Sequence, residues 1–256
     1  MLTRPLQLKH PIVLVHGLGA QSRFGPIEYF FGLPKLLREH QNRVLTPHLS
    51  AWHTLEVRAQ QLKTQIQTSL GDQKVNLVGH SMGGLDIRYL SSCLGFAEQV
   101  ASITTIGTPH QGTSLGDLAF GLLQESQLQS MDRFFKAMNF NQEAFRPVTQ
   151  AYCQGPLREL APKIPGIAYF SATTAIRKPV VLHSLPLFWI SHGWLEQREG
   201  PNDGFVSVES AQWGEHICTY SGDHYAQIGQ LLGRTRGTPY LRFYQEIFLR
   251  LKKEGF

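Results

Sequence analysis

The chain has 256 residues, with 24 Lys and Arg against 19 Asp and Glu, a formal charge of +5. With 42% hydrophobic and 17% charged residues, Gly and Pro scattered, and no internal repeat, it can build the core of one α/β domain and is neither disordered nor low-complexity. The basic residues stand as singles or pairs such as Lys252-Lys253, which excludes a nucleic-acid-binding stripe and leaves a modest bias towards anionic lipid surfaces.

Cys93, Cys153 and Cys218 are odd in number and widely spaced, which excludes a disulfide framework or a zinc site and predicts buried thiols. The opening MLTRPLQLKHPIVLVHG has no apolar run of signal-peptide length, and no stretch reaches transmembrane length. The expectation is a chain without an export signal, cytoplasmic or exported by another route, and monomeric.

In chain order, Ile12–Val15 is a β-branched run ending at His16-Gly17, a buried strand that delivers a glycine-containing loop. Residues 29–40 (YFFGLPKLLREH) read as helical despite Pro34, residues 44–47 as a short strand, and Leu55–Leu70 as an amphipathic helix stopped by Gly71-Asp72. Residues 75–78 are apolar and run directly into GHSMGG. Residues 85–94 then show a helical pattern, so Ser81 falls at a strand-to-helix junction. Further strands are expected at 102–106, entering the loop GTPHQGTS, at 166–171 and at 216–220. Strands alternating with helices predict an α/β fold with a mostly parallel central sheet flanked by helices.

Residues 115–163 are too long for an ordinary connection and are rich in Phe, Met, Leu and Gln. They read as a helical cap or lid inserted in a single domain spanning 1–256. Within the cap and beyond it, Phe134, Phe135, Phe140, Phe145 and Trp189 are candidates to line an apolar pocket or simply to pack. Residues 176–201, with LPLFWISHGW, read as irregular chain, either a wall of the core or a surface facing substrate or lipid.

A serine hydroxyl is a poor nucleophile without a neighbouring base and a geometry that presents it. Gly-x-Ser-x-Gly arises by chance in about one chain of this size in ten, so its setting decides its meaning. Here the strand KVNLV precedes it and a helix follows. Gly79 and Gly83 permit a sharp turn, and the helix N-terminus brings N–H groups to a developing oxyanion. This is the nucleophile elbow of the α/β-hydrolase fold, on which the acid and then the base follow the serine along the chain.

His110, His183, His192, His216 and His224 compete for the base. His224, in SGDHYAQIG after the last strand, is preferred, and His110 reads as a structural loop residue. For the acid, Asp203 in PNDGFVSVES is preferred, although Asn-Asp-Gly is also an ordinary turn signal. Asp223 is the rival but would have to fold back on its neighbour. The oxyanion hole needs the N–H of the residue after the nucleophile, Met82, and one from the loop His16-Gly17-Leu18-Gly19, for which Leu18 is the candidate.

Together VHGLG, VGHSMGG, IGTPHQGTS and the pair NDGFV and DHYAQIG resemble the bacterial triacylglycerol lipases of Pseudomonas, Burkholderia and Proteus in order and spacing from residue 11 to 230, the cap excepted. The resemblance implies an acylglycerol ester hydrolase with a Ser81–Asp203–His224 triad, Leu18 and Met82 as oxyanion donors, a mobile helical lid, and transient contact of the cap with a lipid interface. It also implies a structural calcium ion whose ligands include a carboxylate two residues after the histidine. That position is Ala226, and residues 176–201 offer only Glu196 and Glu199, so the calcium site is expected to be lost or much weakened and no cofactor is expected. A short- or medium-chain carboxylesterase, a thioesterase or a phospholipase on the same fold are the alternatives, with a non-catalytic binding module further off.

Overall fold

The computed structural model describes residues 6–122, 142–176, 186–230 and 240–256, the side chains of 24 and 186–189 excepted. A central sheet holds six strands: β1 (Ile12–Val15), β4 (Val44–Leu45), β5 (Val75–His80), β6 (Val100–Ile106), β7 (Ala168–Ala175) and β8 (Glu215–Ser221). Their order is β4-β1-β5-β6-β7-β8 and every pairing is parallel. A separate hairpin joins β2 (Arg23–Phe24) and β3 (Ile27–Glu28).

The central strands are buried along their whole length, as a parallel sheet covered on both faces requires; β1 is wholly apolar, while β5 and β6 also bury Asn76, His80, Ser102, Thr104 and Thr105 among their apolar residues. Their alternation divides the core. Ile12, Leu14, Val78, Ile106 and Phe170 face α1 (Leu33–Glu39) and the C-terminal α8 (Tyr240–Lys253), which contributes Phe243, Tyr244, Ile247, Phe248 and Leu251. On the other face Val13, Val15, Val75, Leu77 and Ile103 pack on α2 (Leu55–Leu70) and α3 (Met82–Cys93).

At the carboxyl ends of the strands a third apolar cluster joins Leu55, Met82 and Leu85 to Phe145, Val148, Tyr152 and Leu157. The last four belong to a segment that contains α5 (Gln150–Gln154) and α6 (Pro156–Leu160). Leu115 and Leu118 of α4 (Ser114–Phe120) pack on Trp194 and Leu195 of α7 (Pro186–Glu199). The middle of the expected cap, with Phe134, Phe135 and Phe140, lies outside the described residues, as does the Trp189 side chain. Phe145 is buried with its ring 5.8 Å from Trp52.

Several sequence expectations need correction. The helix expected at 29–40 starts only at Leu33, because Gly32 is left-handed at its N-cap and Pro34 can occupy the first turn but not an interior one. The strand expected at 44–47 stops at Leu45, two residues before a proline that has no N–H for the ladder. Residues 176–201 are not irregular throughout: α7 spans Pro186–Glu199, with its only proline at the start and Trp194 and Leu195 buried. The helix after the serine begins at Met82, three residues early, and the strand expected at 166–171 is Ala168–Ala175. The three cysteines are free, but only Cys153 is buried and the other two are half-buried. Among the described residues no helix is long and apolar enough to cross a membrane.

Candidate active site

Ser81 joins β5 to α3 with φ 56° and ψ −131°, a backbone conformation that costs a non-glycine residue of order 1–3 kcal/mol. The turn is held from behind: Ser81 N–H donates to the Ile106 carbonyl at 2.9 Å. The flanking glycines are required by contact. A Cβ on Gly79 would stand 2.6 Å from the Gly83 backbone, and one on Gly83 would stand 2.4 Å from the Val15 carbonyl oxygen. Strand β1 and helix α3 can therefore cross closely, which brings the loop after β1 against the serine. A Cβ on Gly17 would lie 2.9 Å from that of Ser81.

The loop His16–Gly19 is pinned on every side. Leu49 N–H donates to His16 Nε2 at 3.0 Å, so the ring proton sits on Nδ1 and is donated to the Gly17 carbonyl at 2.9 Å. Burial, with Arg58 adding to it, lowers the His16 pKa to about 3, so the ring is neutral. Gly17 N–H donates to the Tyr29 hydroxyl at 3.2 Å and Gly19 N–H to the Ala51 carbonyl at 2.8 Å. The Leu18 N–H between them has no acceptor among the described residues. Met82, first residue of α3, is buried beneath the same corner.

The sequence did not point to Arg58 and Asp86, yet both are completely buried beneath this loop. Arg58 donates to Asp86 through Nε at 3.0 Å and through Nη2 at 2.7 Å, and its remaining donors reach the Ser50 carbonyl at 2.7 Å and the His16 carbonyl at 2.9 Å. Burial pushes the Asp86 carboxyl up, an effect Arg58 only partly offsets. The signal was present: Arg58 occupies the apolar stripe of α2 with Leu55, Ala59 and Leu62, where a charge demands a buried partner.

His224 and Asp203 meet twice. His224 Nδ1 donates to Asp203 Oδ2 at 2.7 Å, and the His224 N–H donates to the Asp203 carbonyl at 2.8 Å. Asp203 is fully buried, and its Oδ1 accepts the Phe205 and Val206 N–H groups at 2.9 and 2.8 Å. With Nδ1 committed to the carboxylate, Nε2 is the nitrogen left to act as a base. The His224 ring lies 4.5 Å, centroid to centroid, from that of His80, the residue preceding Ser81, so the pair stands beside the elbow. The Asn-Asp-Gly turn is also real: Asn202 Oδ1 accepts the Gly204 N–H at 2.9 Å and Gly204 has φ 95°. Turn chemistry and the placing of a carboxylate coexist in one loop.

The competing residues have other occupations. His110 is stacked on Trp213 at 4.7 Å with Nε2 3.0 Å from Thr105 Oγ1. His192 Nδ1 lies 3.0 Å from Asn202 Oδ1, and His216 bonds Thr219 on β8. The Asp223 carboxylate accepts the Ala226 N–H at 2.8 Å. His183 lies outside the described residues. His80 is buried with Nδ1 2.7 Å from the Tyr29 hydroxyl, and burial holds its pKa well below the ordinary histidine value.

The donors for a calcium ion beside His224 do not fit. Ala226 brings a methyl group to the ligand position, Glu199 accepts the Ser114 N–H at 2.7 Å, and Glu196 lies 3.8 Å from His192. Among the described residues no cluster of three or more His, Cys, Asp or Glu is placed to hold a metal.

Comparison with known proteins agrees with this architecture. A family profile described as the alpha/beta hydrolase fold matches residues 10–147. The chain is 31% identical to a triacylglycerol lipase of Pseudomonas fragi, over 96% of this chain and 97% of that one. It is 29% identical to a triacylglycerol lipase of Vibrio cholerae, over 97% and 89%. The crystal structure of a mature Bacillus licheniformis lipase superposes with a TM-score of 0.74 at 22% identity, covering 97% of this chain and 94% of that one. Sheet, elbow and relatives agree: the chain belongs to the α/β-hydrolase family and is a triacylglycerol-lipase-like serine ester hydrolase within it.

Proposed function

We propose that the protein hydrolyses the carboxylic esters of acylglycerols through an acyl-enzyme on Ser81, with His224 as general base, Asp203 as its orienting carboxylate, and the Leu18 and Met82 N–H groups as the oxyanion hole. The observation that carries this reading is the buried His224–Asp203 pair, 2.7 Å apart, beside a serine held at positive φ. His224 Nε2 takes the hydroxyl proton as Ser81 Oγ attacks the ester carbonyl, then returns it to the departing alcohol. Asp203 stabilises the imidazolium formed in between. Water then repeats the cycle on the acyl-enzyme and releases the fatty acid. Each oxyanion donor contributes ~3 kcal/mol at the transition state. The substrate class is supported by the names of the Pseudomonas fragi and Vibrio cholerae relatives.

In this reading residues 115–163 form the cap over the serine. Its C-terminal part supports this by packing with Met82 and Leu85 at the elbow. The test is labelling by a fluorophosphonate probe, with a chain-length profile on p-nitrophenyl esters and emulsified triglycerides. Labelling blocked by Ser81→Ala, together with activity that rises once long-chain substrate passes its solubility limit, is expected. Full activity in Ser81→Ala would refute the nucleophile, and a profile confined to soluble short esters would refute the acylglycerol substrate.

A further inference from the structure

Gln227 lies one turn after His224, in the short 3-10 turn Ala226–Ile228, and is completely buried. Its Nε2 donates to Asp203 Oδ2 at 2.7 Å, the oxygen that also receives His224 Nδ1, and to Thr174 Oγ1 at the end of β7 at 2.8 Å. An ionised carboxylate only accepts, so the amide nitrogen must face it and Oε1 must point away. Oε1 lies instead against Gly107, where a Cβ would stand 2.1 Å from it.

The far side of the amide matches a donor on His80. Gly17 N–H donates to the Tyr29 hydroxyl, whose own proton then goes to His80 Nδ1, leaving the ring proton on Nε2. His80 Nε2 and Gln227 Oε1 are both buried and neither makes a hydrogen bond of ordinary geometry, while the Gln227 side chain and the His224 backbone are the groups that face the His80 ring. The Asp203 carboxylate thus receives four donors, two from backbone and two from side chains, and among the described residues none of them is a Lys or Arg. A Lys or Arg in place of Gln227 would compete with the imidazolium that catalysis would create, whereas a neutral amide holds the carboxylate without doing so.

We propose that Gln227 is a positioning residue for catalysis: it fixes the plane of the Asp203 carboxylate and, through it, the tautomer and aim of His224. The proposal rests on the Ser81–His224–Asp203 reading. The test compares wild type, Gln227→Met, which keeps length but donates nothing, and Gln227→Glu, which donates only when protonated. In Gln227→Met, kcat on a soluble p-nitrophenyl ester is expected to fall about tenfold or more with KM unchanged. The far-downfield proton resonance of His224 Nδ1–H should move or broaden.

In Gln227→Glu the titratable groups facing the new carboxyl are Asp203, His224 and His80. Thr174 and Gly107 are neutral, and Asp223 is engaged with Ala226. Two carboxyls at one site share a proton, so this variant is expected to regain activity towards acid pH relative to Gln227→Met and to lose it as pH rises. Wild-type kcat and an unmoved resonance in Gln227→Met would overturn the proposal. If that variant does not fold, a Gln227→Glu pH profile parallel to wild type would do so. Ser81→Ala and Asp203→Ala run alongside: activity retained in those variants refutes the triad itself rather than the role of Gln227.

Discussion

Removing the carboxylate of Asp86 should be among the most damaging single changes outside the proposed triad. In Asp86→Ala the Arg58 guanidinium, fully buried, loses its contacts at 2.7 and 3.0 Å and keeps the Ser50 and His16 carbonyls, with the Gly17 carbonyl at 3.5 Å. Breaking one side of a buried pair costs about 3–5 kcal/mol. For a chain of this size that lowers Tm by roughly 10 °C. Arg58→Met leaves a carboxyl that burial already favours in its neutral form, so its loss should be smaller. The double variant Arg58→Met/Asp86→Ala buries no charge, and should be about 1–3 kcal/mol more stable than the sum of the single losses predicts. Urea denaturation at one pH, with m-values compared, measures all four corners of this cycle. Additivity within about 0.5 kcal/mol would refute the claim that the pair is held as a unit.

Ser81→Gly should abolish ester hydrolysis yet raise Tm, because glycine relieves the strain at φ 56°. Net of the entropy glycine adds to the unfolded chain, the gain is up to about 2 kcal/mol, and an unchanged or lower Tm would contradict it. His16 is lowered to about 3, and His80 and His110 are held well below the ordinary value by burial. The unfolded chain therefore takes up protons that the native protein does not, and stability should fall as pH drops below about 6.5, by about 1.4 kcal/mol per unit for each histidine that stays neutral, with His16 contributing down to about 3. Denaturation midpoints at pH 7, 6 and 5 would test this, and a flat series would refute it, while His110→Gln should remove one histidine's share of the slope. Calcium or a chelator should leave Tm unchanged, since Ala226 offers no ligand. A rise of several degrees with calcium would show that the donor set has been misjudged.

The elbow was legible because its chemistry is local. Strand, Gly79, Ser81, Gly83 and helix are consecutive, and the φ that a nucleophile elbow needs is written in the glycines around it. The parallel sheet was legible for a similar reason, since strands buried on both faces appear as short runs rich in Val, Ile and Leu separated by helical patterns, as at Ile12–Val15 and Val75–His80. The expected start of the helix at 29–40 failed because Gly32 takes a left-handed turn there, while Tyr29 before it is held in the loop with its hydroxyl between Gly17 and His80. Helix α7 was missed because its face is set by packing against α4 and not by a clean polar stripe.

The sequence alone determined the fold class, the strand-to-helix junction at Ser81 and the order of candidate partners, because all three depend on residues adjacent in the chain or on a chain order the fold imposes. Only the tertiary structure decided what surrounds them. The Arg58–Asp86 clamp spans 28 residues, the His224–Asp203 bond 21 and the Gln227–Asp203 bond 24. Hydrogen-bond partners so far apart are chosen by how helices and loops dock on the sheet, and no local periodicity records that choice.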